Sequence, residues 1–298
     1  MKKILFSACC NTYTQQKACE GLIKLLKDNS YQVDMANDIN REIWTSYNLA
    51  FAFNQRGYQK IQEIHPAIPI IYSVLADDYE KEFIENSVNQ YDHLLIIAPN
   101  KPCSCTDDDS TTMHFPCFEE MNAFPKYRHS TPSILVGAGN GHSALRLFII
   151  LNTLNDYKVN IIYSGEEELF GIGYAPHVIV REEFEVNSLI QEANIIVGHK
   201  YIALQGALQK KPVIVVGDCG SGGLLTSNNV LEQYHNRFAG QIGGEKDAYF
   251  SLDQFQKDIK AASKISSREL EAIALKLKNE MSENNKRVLN VVSSHLHF

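Results

Sequence analysis

The stretch "ANIIVGHKYIALQGALQKKPVIVVGDCGSGGLL", residues 193–225, holds two short apolar runs, a helical segment between them and a cluster of glycines after the second run. Residues 195–197 and 213–216 are apolar at every position, the pattern of strands covered on both faces. Residues 201–208 carry helix-forming residues, and Pro212 stops them because it brings no amide hydrogen to the next turn. Strand, helix, strand in this length gives a parallel crossover unit. Gly217, Gly220, Gly222 and Gly223 then put four glycines into seven residues, which is costly in backbone entropy. They predict a loop whose backbone closely approaches a ligand, with Ser227 or Asn228 capping the helix that follows. Within the first helix Gln205 is an uncharged amide in mid-span, and it reads either as packing or as a ligand contact.

The rest of the chain repeats the alternation. Strands are predicted at 4–8, 33–35, 69–74 and 93–98 in the first half, and at 133–136, 159–164 and 177–180 in the second. Helical patterns lie at 15–27, 79–87 and 142–154. With 195–197 and 213–216 these nine strands form either one large parallel sheet or two smaller ones. The polar, proline-rich segment 99–132 favours two, because such composition suits a linker between compact units. The expected domains are therefore 1–125 and 126–298, two α/β, Rossmann-like parallel-sheet domains facing each other across a cleft. Near the C-terminus, Ser266 and Glu269 form a capping box. Leu270, Ile273, Ala274, Leu277 and Met281 mark one apolar face of the helix it opens.

Composition narrows the function classes. The chain has 298 residues, 44% hydrophobic and 21% charged, as expected of a globular protein with a sizeable core. A net charge of -7 supplies no general attraction to nucleic acid or anionic lipid, so no nucleic-acid partner is expected. The opening "MKKILFSACC" has too short an apolar run for a signal peptide and reads as a first buried strand. No segment approaches a membrane span, although peripheral membrane contact stays open. Seven cysteines at irregular spacings suit reduced thiols and a cytoplasmic location.

Loops after parallel strands collect backbone amides and helix N-termini, and there α/β proteins bind anions. One such loop is "ILVGAGNGHSALR", where Gly137, Gly139 and Gly141 lead into a helix starting near His142, with Arg146 one turn further on. The alternative for it is a tight turn with no ligand, and the glycine spacing misses the dinucleotide fingerprint. His199 and Tyr201 stand at the start of the helix 201–208, aimed at the same strand ends.

Residues 193–225 resemble the C-terminal nucleotide-sugar-binding domain of GT-B glycosyltransferases. That family's pattern is a strand, a turn, a helix, then a Gly-Lys-Pro-Val-Ile-like entry to a strand and a Gly-Gly-Leu close. Here 195–197, Ala203-Leu204, Lys211-Pro212-Val213-Ile214 and Gly222-Gly223-Leu224 match it in order. The resemblance implies a nucleoside-diphosphate sugar as donor substrate, no required cofactor, and transfer of the sugar to a glycan or glycolipid, with bacterial surface polysaccharide synthesis as the setting. It implies donor contacts at Gly139, Gly141, His142, Arg146, His199, Tyr201, Gln205, Gly220, Gly222, Gly223 and Leu224. The chain also departs from the family. Seven residues before the proline, where relatives carry a ribose-binding glutamate, stands Gln205; Val197 and Ala138 replace a second glutamate and a phosphate-binding arginine.

After the strand 69–74, where many relatives have a histidine base, this chain has Leu75 and then Asp77 and Asp78. Either aspartate is a candidate general base, or both simply open an acidic helix start. The aromatic region 44–58 reads as core packing or as an acceptor-site lining. Cys103, Cys105, His114 and Cys117 are soft ligands within fifteen residues and set a zinc site against an ordinary loop. Two other functions stay open beside transfer: a non-catalytic nucleotide-sugar-binding or scaffolding protein, and a nucleotide-sugar epimerase.

Overall fold

The computed structural model describes residues 2–8, 10, 13–36, 46–64, 67–75, 93–97, 110–113, 131–138, 147, 149–163, 174–181, 186–244 and 251–296. The chain divides into two compact units, Met1–Glu119 together with Met281–Phe298, and Glu120–Glu280.

The first unit contains β1 (Lys3–Ala8), α1 (Tyr13–Asp28), β2 (Gln32–Met35), β3 (Leu49–Phe53), α2 (Asn54–Ile64), β4 (Ile70–Leu75), β5 (His93–Ile97) and β6 (Ser110–Met113). Its six strands lie in the order β2-β1-β3-β4-β5-β6 and are all parallel. Two of them, β3 and β6, escape the sequence pattern. In β3 the run Leu-Ala-Phe-Ala-Phe is buried at all five positions, between β1 and β4. Phe51 stacks on Phe6 with ring centroids 5.4 Å apart, and Tyr58 tilts against Tyr72 at 5.2 Å. These rings of the aromatic region 44–58 are therefore core. The strand β6 falls inside 99–132, the segment read from composition as a linker, and pairs with β5. Four residues of Ser-Thr-Thr-Met among prolines are too short and too polar to show a period.

The second unit contains β7 (Ser133–Ala138), β8 (Lys158–Tyr163), β9 (Val178–Arg181), α3 (Val186–Glu192), β10 (Ile195–Gly198), α4 (Lys200–Leu208), β11 (Val213–Gly217), β12 (Gly220–Leu224), α5 (Val230–His235) and α6 (Leu252–Ala262). The last helix, α7 (Ser267–His295), begins in this unit and ends in the first. The sheet order is β12-β11-β10-β7-β8-β9, parallel except for the β11–β12 pair. From β7 the chain runs outward through β8 and β9, then returns to the other side of β7 for β10. The strand order thus reverses between β7 and β10, the place where doubly wound sheets bind ligands at their strand C-termini. Val136, Val159, Ile161, Val197 and Ile214 from the sheet pack with Leu147, Leu151, Phe255 and Ile259 as one core.

Helix α4 is seated on this sheet by missing side chains. A Cβ on Gly137 would lie 2.2 Å from Ile202 Cδ1, and one on Gly198 would lie 3.1 Å from the Gly137 carbonyl oxygen. A Cβ on Gly206 would meet Ile196 Cγ1 at 2.9 Å and Val213 Cγ2 at 3.2 Å. The helix is buried nearly all round, Tyr201 and Ala203 through Leu208 included.

The glycine cluster after β11 is a strand and not a loop. Gly220–Leu224 turns back along β11 as an antiparallel edge, with a register shift at Val215/Val216. The close backbone approach that four glycines announce is made to the protein itself. A Cβ on Gly217 would stand 2.7 Å from Ala239 O, and one on Gly222 2.7 Å from Gly240 O. The Cys219 amide donates to Ala239 O at 2.8 Å and the Gln241 amide donates to Cys219 O at 3.1 Å, stitching this turn to residues 239–241.

The caps also differ in detail. Asn229, not Ser227 or Asn228, stands at the N-cap of α5, and its side-chain oxygen accepts from the Thr226 amide at 2.7 Å. Ser266 Oγ accepts from the Glu269 amide at 3.2 Å, as a capping box requires, but the Glu269 carboxylate reaches the Ser227 amide instead of closing the box. Of the predicted apolar face on α7, Ile273, Ala274 and Leu277 are buried.

The seat of α4 makes a prediction against helix propensity. Alanine for glycine inside a helix normally gains ~1 kcal/mol. At Gly206 the added methyl has no room, and overpacking of this kind costs ~1–3 kcal/mol. Gly206→Ala is expected to lower the midpoint of thermal unfolding, and Gly206→Val to lower it further. A rise in the midpoint of Gly206→Ala, read by circular dichroism, contradicts the close contact.

Candidate functional site

At the C-terminal end of β10 the chain turns directly into α4, and three charged or titratable side chains meet there with a fourth from a distant turn. His199 is the N-cap of α4, in extended conformation with φ -136° and ψ 177°. Its ring makes no cap hydrogen bond, so it is not spent on the helix end. Lys200 follows with φ +46°, in the left-handed region that disfavours a side chain. Asp218 comes from the turn after β11, the next strand over. Lys200 Nζ pairs with Asp218 Oδ2 at 3.3 Å, and His199 Nδ1 lies 4.0 Å from Asp218 Oδ1, beyond hydrogen-bond reach.

Arg237 completes the group. It follows α5 in a turn where Arg237 and Phe238 both take positive φ, +54° and +52°. Phe238 is fully buried and anchors the turn, while the next residues bond to Cys219 as described above. Consecutive left-handed positions without glycine cost free energy, and such strain collects at functional sites. The Arg237 charge is felt at His199.

These surroundings decide the protonation of His199. Burial comes first, then the Lys200 charge and a smaller push from Arg237; against them Asp218 pulls the other way. The sum holds the imidazole at about 4, well below its usual value, so it is neutral at physiological pH. Only 12% of the side chain is exposed, and Nδ1 has no hydrogen-bond partner among the described residues. A buried ring nitrogen without a partner, beside two cations and one carboxylate, is arranged to receive a polar group from outside the chain. Among the described residues, Lys200 and Arg237 lower the His199 pKa and Asp218 raises it.

The other residues read from the sequence fall into three groups. Gly220, Gly222, Gly223 and Leu224 lie on β12, where Leu224 packs against the core and Gly222 faces Gly240 and Gln233. Tyr201 is buried, with its hydroxyl donating to Asn187 Oδ1 on α3 at 3.3 Å. Gln205 has 0% exposure, enclosed on a helix that is buried nearly all round. Asp77, Asp78, Gly139, Gly141, His142 and Arg146 lie outside the described residues, as do the helix 79–87 and the candidate zinc ligands Cys103, Cys105, His114 and Cys117. Among the described residues no group of three or more His, Cys, Asp or Glu is placed to hold a metal ion, and no helix is long and apolar enough to cross a membrane.

Lys200, Asp218 and Arg237 were not singled out in the sequence. The first two were within reach of the rule that loops after parallel strands bind ligands, since Asp218 directly follows β11 and Lys200 comes two residues after β10. Arg237 carried no such signal, because only the docking of residues 239–241 on Cys219 brings its turn to the site.

No protein-family model matches the sequence, and neither does any curated protein sequence. Solved structures do match the backbone over nearly its whole length. A DNA-modifying β-glucosyltransferase, solved with and without its substrate uridine diphosphoglucose, is similar at 8% identity, with 100% of each chain covered and a TM-score of 0.58. The glycosyltransferase VinC in complex with dTDP is similar at 10% identity over 100% of each chain, TM-score 0.55. A spinosyn rhamnosyltransferase is similar at 11% identity over 98% of this chain and 100% of its own, TM-score 0.55. At such identities the likeness is one of fold. Two Rossmann-like units with parallel sheets, the second ending in an antiparallel edge strand, give this chain the GT-B glycosyltransferase fold on a far-diverged sequence.

Proposed function

We propose that the protein is a glycosyltransferase that binds a nucleoside-diphosphate sugar on its second unit and transfers the sugar to a hydroxyl of a glycan or glycolipid. The setting we propose is bacterial surface polysaccharide synthesis in the cytoplasm. The observation that carries the donor reading is the group at the β10–α4 turn: an unpartnered His199 nitrogen with Lys200, Arg237 and Asp218 at the reversal of strand order. In the reaction the bond between the anomeric carbon and the diphosphate oxygen breaks, and the acceptor oxygen forms the new bond to that carbon. Lys200, Arg237 and the α4 N-terminus stabilise the charge growing on the leaving diphosphate. Asp77 or Asp78, after β4 in the first unit, accepts the acceptor proton. Loops carrying Gly139, Gly141, His142 and Arg146 after β7 complete the phosphate cradle. Gln205 stands in the register of the family's ribose-binding glutamate; enclosed on α4, its amide reaches the ribose where the bound donor opens that packing.

The binding reading is tested by thermal unfolding and calorimetry with UDP, dTDP and GDP and their sugars. A nucleotide at a hundred times its dissociation constant adds ~2.7 kcal/mol of stability. Lys200→Ala and Arg237→Ala should each weaken diphosphate binding about tenfold or more, as expected for charge-assisted contacts worth ~1.5–3 kcal/mol. Asp218→Asn should strengthen it by removing a like charge. Gln205→Ala should also lose affinity; unchanged affinity with a lower melting point returns this residue to packing. No stabilisation by any nucleotide sinks the donor reading. Binding without turnover on candidate acceptors supports the scaffolding function instead, and interconversion of free sugar nucleotides the epimerase.

His199 adds a pH signature. Its folded-state value of about 4 lies below the ordinary 6.5, so its contribution to stability is present above pH 6.5 and is lost as pH falls toward 4. A bound diphosphate favours the charged ring and raises that value. Nucleotide binding near pH 5.5 should therefore take up protons, seen as a dependence of the calorimetric enthalpy on buffer ionisation. The uptake should disappear in His199→Gln; uptake of equal size in that variant assigns the proton elsewhere.

A further inference from the structure

Gln233 on α5 is a buried amide that no step of the transfer uses, 2% exposed in a stretch that also buries Val230, Tyr234 and Phe238. An apolar side chain would suit such a place better, because burying an amide costs free energy wherever its bonds are incomplete. Here they are incomplete. Nε2 donates to the Gly240 carbonyl oxygen at 3.2 Å, while Oε1 has no hydrogen-bond partner among the described residues. The reverse orientation of the amide would set two acceptor oxygens against each other, so this one bond fixes the side chain. Gln233 grips the same turn through its backbone, where its carbonyl accepts from the Phe238 amide at 2.7 Å. The side chain also lies against β12, where a Cβ on Gly222 would come within 2.5 Å of Nε2.

The turn that Gln233 holds is bonded in its own right to the neighbours of Asp218. Gly240, at φ +120°, pairs with Cys219 as a parallel β-bridge. Ala239 O accepts from the Cys219 amide at 2.8 Å, and Cys219 O accepts from the Gln241 amide at 3.1 Å. Gly217, on the other side of Asp218, fits between this turn and the start of α4. A Cβ on it would lie 2.7 Å from Ala239 O and 3.0 Å from His199 Cβ. One turn therefore holds Asp218 by both of its neighbours, with the carboxylate 3.3 Å from Lys200 Nζ and 4.0 Å from His199 Nδ1. Each link from the Gln233 amide to the β10–α4 turn is a direct contact.

We propose that Gln233 is a positioning residue for the β10–α4 site: its amide fixes the turn 238–241, and that turn sets where Asp218 stands against Lys200 and His199. The consequence for ligand binding rests on the donor reading given above. A carboxylate at Lys200 competes with the donor diphosphate for the ammonium, and the strength of that competition depends on distance. Without the Gln233 donor the buried Gly240 carbonyl loses its partner, the turn shifts, and Asp218 moves with Cys219. Gln233 thus acts on diphosphate binding through Asp218.

The test uses the full chain and Gln233→Met, which keeps the length of the side chain and removes its donor. In NMR hydrogen exchange the Cys219 and Gln241 amides should exchange at least tenfold faster in this variant, while the Ile196 amide, bonded to Pro212 O in the sheet, keeps its rate. Acceleration of all three alike, or of none, makes Gln233 packing and overturns the proposal. A double-mutant cycle read by UDP calorimetry then separates positioning from stability. The change in UDP affinity caused by Asp218→Asn should be at least threefold smaller in Gln233→Met than in the wild type; an undiminished Asp218 effect overturns the proposal. If UDP, dTDP and GDP all fail to bind the wild type, the donor reading falls and the exchange rates alone decide what Gln233 holds. Should Gln233→Met not fold, the wild type still decides: the Gln233 side-chain amide protons should exchange slowly and show nuclear Overhauser contacts to the Gly222 α-protons, and fast exchange without those contacts overturns the proposal.

Discussion

The second unit depends on how closely one helix backbone approaches its sheet. Helix α4 rests on β7, β10 and β11 only because Gly137, Gly198 and Gly206 have nothing where Ile202, Ile196 and Val213 need room. A methyl at any of these points pushes the helix away from the strands. That displacement would also move His199 and Lys200, which sit at the N-terminus of α4 with no cap bond of their own to hold them. The chemistry at the strand ends is thus positioned by packing several residues away, and the left-handed Lys200 is the joint between the two.

Electrostatics at the site follow from that placement. Burial is the largest influence that keeps His199 neutral, and Lys200 and Arg237 add to the same effect, while Asp218 opposes it without reaching hydrogen-bond distance. A neutral imidazole still carries one N–H, and an anion beside these cations would accept from that donor. The single carboxylate keeps Lys200 in place at 3.3 Å in the absence of that group. An incoming anion would compete for the same ammonium, so Asp218 acts as a stand-in counterion.

Much of the fold was legible because buried parallel strands write themselves as continuous apolar runs: all nine of the strands expected from the sequence are present, within a residue or two. The strands missed were those whose sequence says something else. In β3 the phenylalanines alternate with alanines and look like an aromatic patch, and in β6 threonines sit among prolines. In β12 four of five residues are glycine or serine, a composition that describes a loop. The site was less legible for the same reason in reverse. His199 could be found from its place after a strand, but Arg237 reaches it only through the turn that Phe238 anchors, and no local pattern encodes that contact.

The glycines after β11 show why composition and function separate here. Four glycines in seven residues do mean that something approaches the backbone closely, and the approach is real at Gly217 and Gly222. What approaches them in this structure is the carbonyl of Ala239 or Gly240. Yet the same contact is what carries Arg237 to the β10–α4 turn, since residues 239–241 are bonded to Cys219 and Arg237 stands two residues before them. Gly217 and Gly222 therefore admit a neighbouring turn, the one that Arg237 precedes. The charge of Arg237 is felt at His199 from this side, by a route through the fold that no strand-end pattern encodes.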